Sequence, residues 1–240
     1  MNRRALQKLS RQWHRRLGSL VGIQLFFWTL GGFYFSWFHI DDVRGTTDRV
    51  PAQPANVKSY SGFLPPDSIL KITELTLVER IELALFQDRP VYRLYQDNDR
   101  VEMFDAQSGE KLSPISREMA MEIARADFRP RVPIKAVHWV EHKGGEYKGP
   151  IPAYRIDFDY WKGTRVYIHA HTGRVTAHRN HIWRGFDFMW MLHILDFKER
   201  ENFNNWVLRI LSLLGLITLA SGYVLWAVTT PLFRHRKSPT

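Results

Sequence analysis

Cysteine is absent from the 240 residues, which excludes disulfides, thiolate metal sites and a cysteine nucleophile. An exported domain built from such a chain is held by its core alone. Acidic residues are missing from both ends. Residues 1–16 carry Arg3, Arg4, Lys8, Arg11, Arg15 and Arg16 without one Asp or Glu, and the tail carries Arg234, Arg236 and Lys237, again without an acid. The common catalytic signatures are missing too. There is no G-x-S-x-G elbow, H-E-x-x-H helix, P-loop or dinucleotide fingerprint. A role in electron transfer would therefore need an external donor.

Charge is also absent from two long internal stretches, Leu17–Ile40 and Ile210–Phe233, of 24 residues each. As a helix, either would reach roughly 36 Å, enough to cross a hydrocarbon core of about 30 Å. The first stretch exceeds the apolar core of a signal peptide, and HIDDVRG after it offers no small-x-small cleavage site, so it reads as an uncleaved anchor. Nine basic residues in the two terminal segments account for nearly all of the net charge of +10, leaving 25 of the 34 basic residues against 24 acidic ones. Basic flanks stay in the cytoplasm. Both termini are expected inside, with the centre of the chain in the periplasm of a bacterial inner-membrane protein. The high isoelectric point is thus a topology signal, and the near-neutral centre gives nucleic acid no basic patch.

Residues 41–66, with Pro51, Pro54, Pro65 and Pro66, read as a linker. The chain then repeats itself. In the first copy (67–115) a short helix, DSILKITEL, precedes VERIELALFQ, PVYRLYQ and RVEMFDAQSGE. In the second (116–180), SREMAMEIARADF precedes IKAVHWVEH, PAYRIDFDY and TRVYIHAHTGR. Pro90-Val-Tyr92-Arg93 aligns with Pro152-Ala-Tyr154-Arg155, Asp105 with His169, and Gly109 with Gly173. Period-two alternation marks the strands, and Ser116 is placed to cap a helix with Met119, Ile123 and Ala126 on one side. The expected fold is α+β: two transmembrane helices (17–40 and 207–233) flank a duplicated unit of one helix and a three-stranded antiparallel sheet. Residues 1–16 and 234–240 are cytoplasmic. Trp183, Phe186, Phe188, Trp190, Phe197, Phe203 and Trp206 make 181–206 an aromatic segment at the outer interface or a surface for a protein partner.

The strand-turn patterns YRLYQDNDRVEMFDAQSGEKL and YRIDFDYWKGTRVYIHAHTGRV resemble PepSY domains. WHRRLGSLVGIQLFFWTLGGFYFSWF, and MLHILDF followed by LLGLITLASGYVLW, resemble PepSY-associated transmembrane helices. The similarity spans nearly the whole chain except the linker; Asp105 before the first turn glycine and His169 before the second are where the copies differ. The resemblance implies two roles. Isolated PepSY domains occur in protease propeptides, where inhibition is their supposed task, while larger four-span relatives are similar to haem-binding ferric-siderophore reductases.

Histidine is the residue whose placement suggests chemistry. Haem b needs two neutral imidazoles at one membrane depth. His14 and His39 lie at opposite ends of the first span, roughly 37 Å apart along a helix, whereas His39 and His193 could both lie near the outer surface. Alternatively, His14 from two protomers could meet across a homodimer through Gly18-x-x-x-Gly22. The family pattern implies His193 and His14 ahead of His39. His169 and His171, two apart on one strand, could hold zinc or copper, although Gly173 suggests that His171 is already in the turn. Two functions follow from these features. One is a non-enzymatic interaction module in the lipid bilayer with a protein partner in the membrane or periplasm. The other is a haem-b electron-transfer protein that reaches four spans by dimerising.

Overall fold

The computed structural model describes residues 3–51, 60–73, 75, 77–96 and 100–230. The chain divides into two compact units, one made of Met1–His39 with Gly185–Thr240 and the other of Ile40–Arg184.

The first unit is built on two helices, α1 (Arg3–Trp37) and the last helix of the chain, α6 (Trp206–Thr229). Both are long and apolar enough to cross a membrane. Helix α1 starts well before the uncharged stretch, because nothing in the basic segment breaks it, and the basic arm read as a separate segment is its first turns. Asn205 opens α6, its side chain accepting from the Leu208 amide at 2.9 Å. Where the helices touch, Gly215 of α6 faces Val21, Leu25 and Trp28, and Gly222 faces His14. The absent side chains at these glycines let the backbones close together, as helix pairs in lipid require. Leu20, Ile23, Phe26 and Phe33 on α1 and Leu213, Leu216 and Trp226 on α6 stay exposed, an apolar surface of the kind that meets a membrane or another protein.

Between them runs α5 (His181–Ile194). The carbonyls at a helix C-terminus have no partner within the helix. Here three of them are satisfied by side chains of the same unit: Gln24 donates to Leu192 O (2.9 Å), Trp28 to His193 O (2.7 Å) and Asn205 to Ile194 O (2.8 Å). The turn into α6 is organised by Asp196, which accepts from the amides of Lys198, Glu199, Glu201 and Asn202. Those bonds bring its carboxyl down to about 2. The aromatic segment 181–206 is therefore a helix and an ordered turn.

The second unit holds two antiparallel meanders. After α2 (Ile40–Arg44), a 3-10 turn and α3 (Pro66–Thr73) come β1 (Arg80–Phe86), β2 (Arg89–Tyr95) and β3 (Val101–Asp105), paired in that order. After α4 (Arg117–Asp127) come β4 (Ile134–Val140), β5 (Ala153–Phe158), β6 (Arg165–His169) and β7 (Val175–Arg179), again in sequence order. Ser116 caps α4 as expected, accepting from the Met119 amide at 3.1 Å.

The duplication is visible bond by bond. In the first copy Ala106 N donates to Pro90 O, Gly109 N to Asp105 O, Leu64 N to Ala106 O, and Tyr92 OH to Leu64 O. In the second Ala170 N donates to Pro152 O, Gly173 N to His169 O, Ile115 N to Ala170 O, and Tyr154 OH to Ile115 O.

Two expectations need correction. The second sheet has four strands, because β7 turns back on β6 after Gly173, whereas in the first copy only Lys111 makes a bridge, to Phe104. The linker does not begin at residue 41: residues 40–50 fold onto the second repeat, with Arg49 bridged to Phe128 and Val50 N donating to Asp127 O. The part of the linker at 52–59 lies outside the described residues. The first sheet is covered on both faces. Tyr92, Leu94 and Phe104 pack with Ile69 of α3, while Phe86, Val91 and Met103 join Ala120 and Ala124 of α4 and Ile156, Val166 and Ile168 of the second sheet. The two repeats share one core, with α4 at its centre.

Candidate functional site

A cleft of about 1000 Å3 opens between the repeats. Its walls are the ends of β2 and β3, the loop joining β4 to β5, and the turn joining β6 to β7, which carries His169, His171 and Thr172. Antiparallel pairing of β5 with β6 sets Ala153 opposite His169, just as β2 and β3 set Val91 opposite Asp105. The two equivalent positions behave differently. Asp105 is solvated and accepts from the amides of Gln107 and Ser108. His169 is 4% exposed, with Nδ1 2.9 Å from Thr172 Oγ1. Burial, and then the charge of neighbouring His171, pushes its pKa down to about 4, against a hydrogen bond to the Ile151 backbone. Burial also lowers His171.

Both predicted metal ligands therefore line one cleft, their ring centroids 5.9 Å apart. His169 is already engaged by Thr172 and Ile151, and His171 Nδ1 is buried without a hydrogen-bond partner. Among the described residues no group of three His, Cys, Asp or Glu side chains is placed to close a metal site.

Behind the turn, buried Arg93 of β2 donates to Thr172 O at 3.0 Å. Glu82 of β1 sits between Arg93 and Arg174 and accepts from Tyr95 OH at 2.6 Å. Burial raises the Glu82 pKa, but Tyr95, Arg174 and Arg93 together outweigh it and hold the carboxyl below its ordinary value. These groups join the first repeat to the cleft floor of the second.

Two further polar clusters escaped the sequence reading. Asp127, at the end of α4, receives Arg49 (2.7 Å) and lies 2.6 Å from His178 Nε2. Its pKa is raised by burial and lowered more by His178 and Arg49, for a net fall. With Lys162 on Asp48 (2.8 Å) and Asn180 on Asp42 O (2.8 Å), this cluster straps residues 42–49 onto the second repeat. Glu146 accepts from Arg165, Tyr167 and Arg184; burial raises its pKa, and the hydrogen bonds of Arg165, Arg184 and Tyr167 bring it below normal. These partners lie 19 to 138 positions apart in the chain, and no local pattern announces pairs at that range.

In the helical unit His14 and His193 occupy different levels of α1. His14 Nδ1 lies 3.1 Å from both Thr218 O and Ser221 Oγ. Ser221 itself donates to Thr218 O, so its oxygen accepts from a protonated Nδ1, which leaves the lone pair on Nε2. His193 packs against Gly31 amid Trp28, Phe35 and Trp190, with Nδ1 buried and unpartnered. Gly31 is 17 residues from His14, about 25 Å along the helix. His39 lies beyond the end of α1 and is exposed, about 12 Å past Gly31 at the same rise per residue. The chain thus brings no two of these three imidazoles together.

Residues 114–179 match the sequence model of the family described as peptidase propeptide and YPEB domain, PepSY, which covers α4 and all four strands of the second sheet. No curated protein and no solved structure matches the chain.

Proposed function

We propose that this chain is a membrane-anchored interaction module: a PepSY domain flanked by two spans, serving as an accessory or regulatory subunit of an envelope protein or membrane complex. The observation that carries it is the PepSY segment packed against a second small antiparallel sheet, two meanders whose outer strands are the kind of element that accepts a partner strand. The central domain lies outside the cytoplasm in this reading, and both termini lie inside, on the charge asymmetry of the flanks. Affinity purification from mild detergent should return a second membrane or periplasmic protein in fixed ratio. Recovery of the protein alone would overturn the reading.

A second reading rests on His14. An imidazole whose Nδ1–H is held by a carbonyl and a hydroxyl presents Nε2 in the manner of a metal-ligating histidine. In a dimer, His14 of the two copies would together hold haem b, which would supply one-electron chemistry. His193, in its aromatic cage, is the other candidate ligand. Protein purified after growth with ample haem should then show a Soret band and a sharp reduced α band, lost in His14→Ala or His193→Ala. A colourless protein, or a full spectrum in both variants, would rule these ligands out.

A further inference from the structure

The cleft between the repeats has an open backbone edge and an uneven charge. Strand β3 is the outer strand of its sheet. In an antiparallel pair, backbone groups alternate between facing the neighbour and facing away. Gln96 N donates to Arg100 O and Ala106 N to Pro90 O, so the register of β2 and β3 turns Val101, Met103 and Asp105 outward. Met103 and Asp105 find partners there: Ser113 Oγ and Leu112 N for Met103, Glu110 O and Gly109 N for Asp105. Val101 is the next outward position, it lines the cleft, and among the described residues nothing pairs with its outward side.

The side chains around that edge are mostly cationic. Arg100, Lys143, Lys148 and Arg174 line the cleft from three separate segments, against the single carboxylate of Glu102. Glu102 is 2.8 Å from Lys111, and Arg174 is paired with Glu82. Asp97 and Asp99 of the same hairpin lie outside the described residues. An extended chain can reach several of these cations while it pairs with Val101.

We infer that this cleft docks an extended acidic peptide segment of a partner protein, added as a strand beside β3 at Val101 with its carboxylates toward Arg100 and Lys143. The inference deepens the interaction-module reading and rests on it. Strand addition supplies affinity through the backbone, and the basic rim supplies the choice of an acidic sequence.

The test is fluorescence anisotropy on the full-length protein in mild detergent, with a labelled, end-blocked hexapeptide of alternating Glu and Val. Binding is expected for this probe and not for its Lys–Val counterpart. Affinity should fall about tenfold in the Arg100→Glu, Lys143→Glu double variant, the size expected when two exposed charge pairs are reversed. Val101→Pro removes the outward amide at the first residue of an edge strand, where proline is tolerated, and should weaken binding while the charged rim stays intact. Equal binding of the Lys–Val peptide, or unchanged affinity in the charge-reversed variant, would overturn the proposal. So would full displacement by inorganic phosphate at matched ionic strength, which would mark a simple anion site. The titration judges this inference alone. A partner that is recovered by affinity purification but not displaced by the Glu–Val peptide would refute it and leave the module standing.

Discussion

At the scale of the residue, the two copies differ most tellingly where the chain has Asp105 once and His169 once. The same backbone turn follows both, yet one side chain faces solvent and the other is buried against Thr172 and Ile151. A histidine with a pKa near 4 in the folded state and about 6.5 in the unfolded chain binds more protons when unfolded at pH values between them. The contribution of His169 to stability is therefore complete above about pH 6.5 and is lost as pH drops towards 4, by about 3 kcal/mol. Denaturant titrations at pH 7 and pH 4.5 should show that loss, and His169→Asn should remove most of the difference. Asp127 titrates in the opposite sense of partnership. Its carboxyl is held below the ordinary value by His178 and Arg49, so its contribution persists above pH 4 and disappears only in stronger acid. An unchanged pH slope in the His169 variant would show that the imidazole is not the group being protonated.

At the scale of the element, the turn glycines explain why the repeats are not interchangeable. Gly109 and Gly173 both have positive φ, at 76° and 64°, a region where an added Cβ costs roughly 1–2 kcal/mol. Their surroundings differ. A Cβ on Gly109 would meet the flexible ends of Ile72 and Leu64 at 3.1 and 3.3 Å, whereas on Gly173 it would overlap the ring of Phe86. Phe86 belongs to the first repeat, so Gly173 is a joint between the copies. Gly173→Ala should destabilise the domain by about 1–3 kcal/mol more than Gly109→Ala, and Phe86→Leu in the same chain should recover part of the excess. Equal losses from the two alanines, measured by denaturant titration, would mean that Phe86 does not press on the turn. The strand count shows the same limit of local reading. The alternation of β1 to β6 is legible in the chain, but VTAHR is short and follows a turn that looks terminal. It becomes β7 only because β6 presents an open edge to it.

At the scale of the whole molecule, the absence of cysteine makes topology directly testable, since any introduced thiol is the only one. On intact cells with the outer membrane permeabilised, a membrane-impermeant maleimide should label Lys143→Cys and leave Lys237→Cys unlabelled until the inner membrane is broken. The reverse pattern would place the central domain in the cytoplasm and remove the basis for a periplasmic partner.

The chain by itself determined the features that depend on composition over a local window: two apolar stretches of spanning length, an α+β centre, its duplication, and the Ser116 cap. Each is a matter of periodicity, charge or a side chain three residues from its target, and each is decided before distant segments meet. The tertiary structure alone decided the rest. It merged the repeats into one core around α4 and strapped residues 42–49 to the second copy through Asp127 and Asp48. It set His14 on Thr218 and Ser221 at a distance along α1 from His193. Those arrangements join partners far apart in the chain. Their energies arise from burial and hydrogen bonds formed only when the chain closes on itself, and no local pattern of residues encodes that.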